Sequence, residues 1–183
     1  MYFSTLSSWS ILIWKALDAE GLNPEKVFES AGIDYRQMSN PGSRYSFSEM
    51  TQLWASASEA SSSECFGLVA AEYWHPTTFQ ALGIAWLASH TLQEAFERLV
   101  RHVDMISTAA ETRFTRDDDG FHLTLRVLSN EIDAHPEAVT ATLATLVHMC
   151  RQSMGKDFSP RLVKMPSAKS GCDKAFRQFF NCD

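Results

Sequence analysis

Along the first two thirds of the chain, apolar residues recur with the spacing of helices that bury one face. Trp9, Leu12, Ile13, Ala16 and Leu17 form an i, i+3, i+4 stripe with Gly21 at the expected C′ position, which predicts a first amphipathic helix. Asn23-Pro24 supplies an N-cap and a first-turn proline for a second, short helix with Val27 and Phe28 inward and Gly32 as its stop. Ser46 and Glu49 have capping-box spacing, and Phe47, Met50, Leu53, Trp54 and Ala57 carry a third helix to about Ala60. Residues 65–71 read as further buried helical turns, broken at His75-Pro76. Thr77 and Gln80 repeat the capping-box spacing before a helix over 79–89. Its Phe79, Leu82, Ile84, Trp86 and Leu87 lie all round, which predicts a fully buried central helix. Thr91 and Glu94 then open a longer, half-exposed helix carrying Leu92, Phe96, Leu99, Val103 and Ile106.

The period then changes from that of a helix to two. Phe121, Leu123, Leu125 and Val127 alternate with His122, Thr124 and Arg126, and residues 112–116 can pair with them across Asp117-Asp118-Asp119-Gly120, so a β-hairpin is predicted near 111–127. Pro136 opens another helix, with Val139, Leu143, Leu146 and Cys150 inward and Gly155 as its stop. A strand is expected near 161–165 ahead of Pro166, and a last helix from about Asp173 carries Phe176, Phe179 and Phe180. The fold class is α+β, predominantly helical with a small antiparallel sheet. No internal repeat interrupts it, and residues 1–183 are read as one domain.

Composition adds bounds. The 183 residues are 45% hydrophobic and 21% charged, as in a folded soluble domain. The most apolar stretch, 79–88, is about half the length of a membrane span, and the N-terminus lacks the basic n-region and cleavage site of a secretory signal. A cytoplasmic location without membrane contact follows as the expectation. In that compartment the widely spaced Cys65, Cys150, Cys172 and Cys182 are expected as buried or free thiols rather than disulfides. A formal charge of −6 argues against binding a phosphate backbone by this chain alone.

The sequence contains no dinucleotide-binding or P-loop glycine pattern, no nucleophile elbow and no H-E-x-x-H, so neither a catalytic residue nor a cofactor is assigned. His75, His90, His102, His122, His135 and His148 lack metal-ligand spacing among themselves or with cysteine, and no metal site is expected. Asp117-Asp118-Asp119-Gly120 resembles the start of a calcium loop, but the twelfth position is Leu128 instead of a glutamate, leaving a hairpin turn.

Three further stretches carry a resemblance. They are Cys65-Phe66-Gly67-Leu68-Val69-Ala70-Ala71, then Pro76-Thr77-Thr78-Phe79-Gln80-Ala81-Leu82-Gly83-Ile84-Ala85-Trp86-Leu87-Ala88-Ser89, then Thr91-Leu92-Gln93-Glu94-Ala95-Phe96-Glu97-Arg98-Leu99. Together they resemble the N-terminal "arabinose-binding" domain of AraC/XylS-type transcription regulators, and the aromatic segment Phe176-Arg177-Gln178-Phe179-Phe180 is similar to the one that closes that domain. Ala81 and Gly83 depart from the family's pattern of a glycine following the aromatic. The resemblance implies a regulatory rather than enzymatic role, a homodimer, a small-molecule effector, and a longer polypeptide whose helix-turn-helix half, absent from this chain, binds DNA. The three aromatics so near residue 183 fit a chain that continues.

The aromatic and histidine-rich stretch around 74–79, with Trp86 two turns after Phe79, suggests an effector pocket for an amphipathic molecule. The candidate effector-binding residues are Trp74, His75, Phe79, Trp86, His102 and Arg126. Arg98, Arg101 and Arg113 are further possible carboxylate forks, although arginines on polar faces are usually solvated. Two other readings stand beside this one: a dimerisation module that needs no ligand, and a small enzyme with a dispersed acid–base pair such as Glu72 and His75.

Overall fold

The computed structural model describes residues 3–128, 132–165 and 171–182. They form two compact units, each assembled from three separate segments. Unit 1 takes its residues from Met1–Trp9, Arg36–Ser48 and His75–Asp133, and unit 2 from Ser10–Tyr35, Glu49–Trp74 and Ala134–Asp183. Among the described residues there are eight α-helices and two two-stranded antiparallel sheets, which is the mainly helical α+β class.

Unit 2 is helical. Helix α1 (Ile11–Ala19) buries Leu12, Ile13, Ala16 and Leu17. It ends where Gly21 adopts φ +76, so that Leu22 N–H can reach back to the Leu17 carbonyl at 3.0 Å. Helix α2 (Pro24–Ser30) begins as its sequence predicts, the Asn23 side chain accepting from Lys26 N. Helix α3 (Phe47–Ala60) buries Met50, Leu53, Trp54 and Ala57, and the Trp54 indole meets the Phe66 ring edge-on. Helix α4 (Phe66–Glu72) packs on α7 (Pro136–Met154), and their approach is so close that only a glycine fits at position 67. A β-carbon there would lie 2.9 Å from a Glu137 carboxylate oxygen and closer still to the Glu137 carbonyl. Instead Gly67 N–H donates to the buried Glu137 carboxylate at 2.7 Å. Helix α8 (Asp173–Phe180) adds Phe176 and Phe180 to a cluster of Leu68, Ala71, Ala144 and Val147.

Unit 1 joins both sheets. Strands β1 (Ser4–Leu6) and β2 (Arg44–Ser46) pair Thr5 with Tyr45. Arg44 ties them to the turn at 104–106, donating to Ser4 Oγ at 2.8 Å and to the carbonyls of Ser4, Asp104, Met105 and Ile106. After a 3-10 turn at Pro76–Phe79 come α5 (Gln80–Leu87), α6 (Leu92–Arg101) and the hairpin β3 (Ala110–Asp117) with β4 (Gly120–Val127), in the register Phe114 opposite Leu123. Helix α6 starts as expected, Thr91 Oγ1 accepting from Glu94 N at 3.1 Å. It stops at Arg101, short of Val103 and Ile106, which fall in a 3-10 turn and just beyond it.

Four expectations need correction. Residues 161–165 form no strand: they pair with none among the described residues, and alternation alone supplies no ladder partner. Helix α5 is not buried all round, since Ile84 is 54% and Leu87 49% exposed while Trp86 is only 2% exposed. Its turn is capped by His75 rather than Thr77, the imidazole accepting from Thr77 N while Thr78 Oγ1 accepts from His75 N. Cys65 and Cys172 are joined in a disulfide, because the fold brings the N-terminal end of α8 over that of α4 across 107 positions, a proximity that spacing along the chain cannot reveal.

Candidate functional site

The six residues proposed from sequence do not share one environment. Trp74 belongs to unit 2, buried edge-on to the His148 ring. The other five belong to unit 1. There Phe79 stacks on Trp9 with ring centroids 5.4 Å apart, while the His75 Nδ1 sits 2.9 Å from Thr77 Oγ1 in its capping role. Trp86 starts an aromatic ladder: it meets Phe96 edge-on, Phe96 stacks on Phe114, and Phe114 stacks on Phe121, where Arg116 lies over the exposed ring. His102 terminates α6 through its backbone and is exposed, and Arg126 is an exposed hairpin residue 3.8 Å from Glu111. Phe79 and Trp86 are therefore core side chains, and His75 is a helix cap. Glu72 and His75, the conceivable acid–base pair, fall in different units.

Two of the other arginines pair with carboxylates of unit 1, Arg113 with the same Glu111 that Arg126 approaches. Arg98 pairs with Glu94 one turn earlier on α6, and the Glu94 carboxyl is held below its usual range chiefly by the His90 backbone N–H and secondarily by Arg98. Arg113 pairs with Glu111 at 3.2 Å. On the hairpin turn, His122 lies 2.9 Å from the Asp117 carboxylate, which also accepts from Asp119 N, and these contacts lower the Asp117 pKa. That is the geometry of a turn brace rather than a calcium loop.

Concavity appears elsewhere, in unit 2. A cleft of about 230 Å³ is lined by Val163, Met165, Phe176, Phe180 and Cys182, with Asp173 and Arg177 on its lining as well. Phe176 and Phe180 face it from successive turns of α8, which places Asp173 and Arg177, also four residues apart, together at its exposed side. Neither charge forms an ion pair among the described residues. Arg151 braces the helix from α7, donating to the Phe179 carbonyl at 2.6 Å and lying over the Phe179 ring. The arrangement offers an apolar floor with one forked cation and one carboxylate at the rim, suited to an amphipathic small molecule bearing a carboxylate. Sequence reasoning noticed the three phenylalanines but not Arg177. The signal was there in α8's phenylalanines four apart, with Asp173 and Arg177 each three residues before one of them.

Among the described residues, no three His, Cys, Asp or Glu side chains gather as a metal site. No described helix is long and apolar enough to cross a membrane. The chain belongs to the family of the N-terminal arabinose-binding domain of AraC transcription regulators, whose model matches residues 21–183. That family supports an effector-binding regulatory role and is non-enzymatic. No curated protein matches the chain.

Proposed function

We propose that this domain senses a small amphipathic carboxylate in the α8 cleft of unit 2 and passes its occupancy to a DNA-binding helix-turn-helix half of the intact regulator, in the cytoplasm. The observation that carries the placement is the cleft itself, lined by the apolar Phe176, Phe180, Val163 and Met165 beside Arg177 and Asp173, neither of which forms an ion pair among the described residues. Arg177 supplies the fork for a carboxylate, and Asp173 adds a partner for an amine on the same molecule. The effector acts only through a difference in affinity between two states of the domain, since equal affinity shifts no equilibrium.

Differential scanning fluorimetry against amino acids, fatty acids and aromatic acids tests this. A ligand at about one hundred times its Kd stabilises the native state by about 2.7 kcal/mol, a shift of several degrees. The shift is expected to disappear in Arg177→Met and Phe176→Ala. If it survives both but is lost in Trp86→Ala or His75→Ala, the effector sits in unit 1 and the α8 placement is wrong.

A second reading, dimerisation without a ligand, is favoured by the exposed apolar side chains of unit 1: Ile84, Leu87, Phe121 and Val127. On that reading the sedimentation of the protein depends on concentration, Phe121→Lys makes it monomeric, and no effector changes its melting.

A further inference from the structure

Cys65 stands at the N-cap of α4 and Cys172 at the N-cap of α8, their α-carbons 5.7 Å apart, within the usual span of a disulfide. Both are buried, among Leu68, Ala71, Ala144, Val147, Phe176 and Phe180. The surroundings also accommodate the reduced pair. A Cys172 thiol has a hydrogen-bond acceptor in place, the Glu64 carbonyl 3.1 Å away. Without the bond α8, only eight residues long, is held by side-chain packing and a few hydrogen bonds. Among the described residues these contacts include the buried Phe176 and Phe180, the partly buried Ala175 and Phe179 packed against the same cluster, Arg151 donating to the Phe179 carbonyl and lying over its ring, and the Asn181 amide donating to Ser159 Oγ at 3.0 Å.

We propose that Cys65 and Cys172 are a reversible redox latch on α8. With the bond formed, α8 is fastened to the start of α4, and the wall of the cleft made by Phe176, Arg177 and Phe180 is fixed. With the bond reduced, α8 rests on its non-covalent contacts alone and loosens. The oxidant is a low-molecular-weight disulfide such as oxidised glutathione. One protein thiolate attacks it and expels a small thiolate, leaving a mixed disulfide. The second protein thiolate then attacks the protein sulfur of that mixed bond and expels the other small thiolate. The two thiol protons end on the two small thiols, and two electrons pass from the cysteine pair to the oxidant. Burial means that exchange proceeds when α8 lifts, so the latch responds slowly and reports sustained rather than momentary change.

The test equilibrates the intact chain in glutathione buffers from fully reduced to fully oxidised, then combines alkylation and peptide mapping with amide hydrogen exchange. A Cys65–Cys172 peptide is expected to form and vanish reversibly along the series in folded protein. Exchange in Asp173–Phe180 should be at least about tenfold slower in the oxidised form, with α1 unchanged. In Cys65→Ser, α8 should exchange at the reduced-state rate in every buffer, and should that variant not fold, the wild-type series decides alone. Three outcomes overturn the latch: thiols that persist at both positions in the oxidised buffer, a bond that excess dithiothreitol cannot open without unfolding the chain, or a bond whose formation leaves α8 exchange unchanged. Cys150 serves as an internal standard, since burial pushes its thiol up to about 12 and keeps it protonated in these buffers.

Discussion

At the scale of single residues, two backbone positions govern close packing. Gly67 lets α4 settle on α7, and a methyl there collides with the Glu137 carbonyl and carboxylate and touches Thr140 Cβ at 3.0 Å. Gly67→Ala is expected to destabilise the protein by about 2 kcal/mol, read from the urea midpoint at unchanged slope. Gly83 faces the same constraint from the Pro76 carbonyl, with Pro76 Cα 3.0 Å from where its β-carbon would be. Gln80, at φ +51 and ψ −130, occupies a region that suits glycine, so Gln80→Gly should raise stability by up to about 1 kcal/mol, and a loss on that substitution would show that its side chain holds α5 in place. His148 contributes a pH dependence. Desolvation lowers its pKa, Arg151 adds to the lowering and Glu72 partly opposes it, while Gln152 lies 2.9 Å from its ring nitrogen. The folded state therefore resists protonation that the unfolded chain accepts near pH 6.5. Its contribution is full above that value and is lost as pH falls through the lower folded pKa. The urea midpoint should begin to drop as the pH falls below about 6.5, and His148→Gln should lose the part of that drop due to this site.

Elements were legible from the sequence where their signals are local. The Asn23 and Thr91 caps, the prolines at 24 and 136 and the period-two run over 120–127 each specify a start or a pairing within a few residues, and the structure has those elements. Strands β1 and β2 are three residues each, serine-rich, and joined across about forty positions, so neither apolar alternation nor a turn announces them. The 161–165 stretch failed the opposite way, having the pattern without a partner. For the site, Phe176 and Phe180 were visible as residues that needed cover, but a cleft depends on what the intervening loop brings alongside, here Val163 and Met165, and that is a tertiary fact. The hairpin supplies the test at this scale. Phe114 is sandwiched between Phe96 and Phe121, so Phe114→Ala removes two stacked contacts and should cost about 2 kcal/mol while altering the near-ultraviolet circular dichroism contributed by Trp86. An unaltered spectrum would mean that the ladder does not reach the indole.

On the scale of the whole molecule, family, cleft and charge support one picture. A domain of net charge −6 is poorly suited to hold DNA by itself, and its family supports an effector-binding regulatory role. The unit boundaries fall after Trp9, Tyr35, Ser48, Trp74 and Asp133, so the chain passes from one unit to the other five times. Severing any one passage leaves at least one unit with its own parts on both fragments. A molecule nicked between Asp133 and Ala134 should still elute as a single species in native buffer. There α7 stays clasped to α4 through Glu137 and Gly67, with Cys65 and Cys172 bonded across the nick, and the fragments should part only in denaturant with reductant. Release of the shorter fragment without denaturant would show that the clasp is weaker than its geometry implies. Protease resistance of the intact chain is then a poor guide to its integrity, because a cut copy can go on behaving as a whole one.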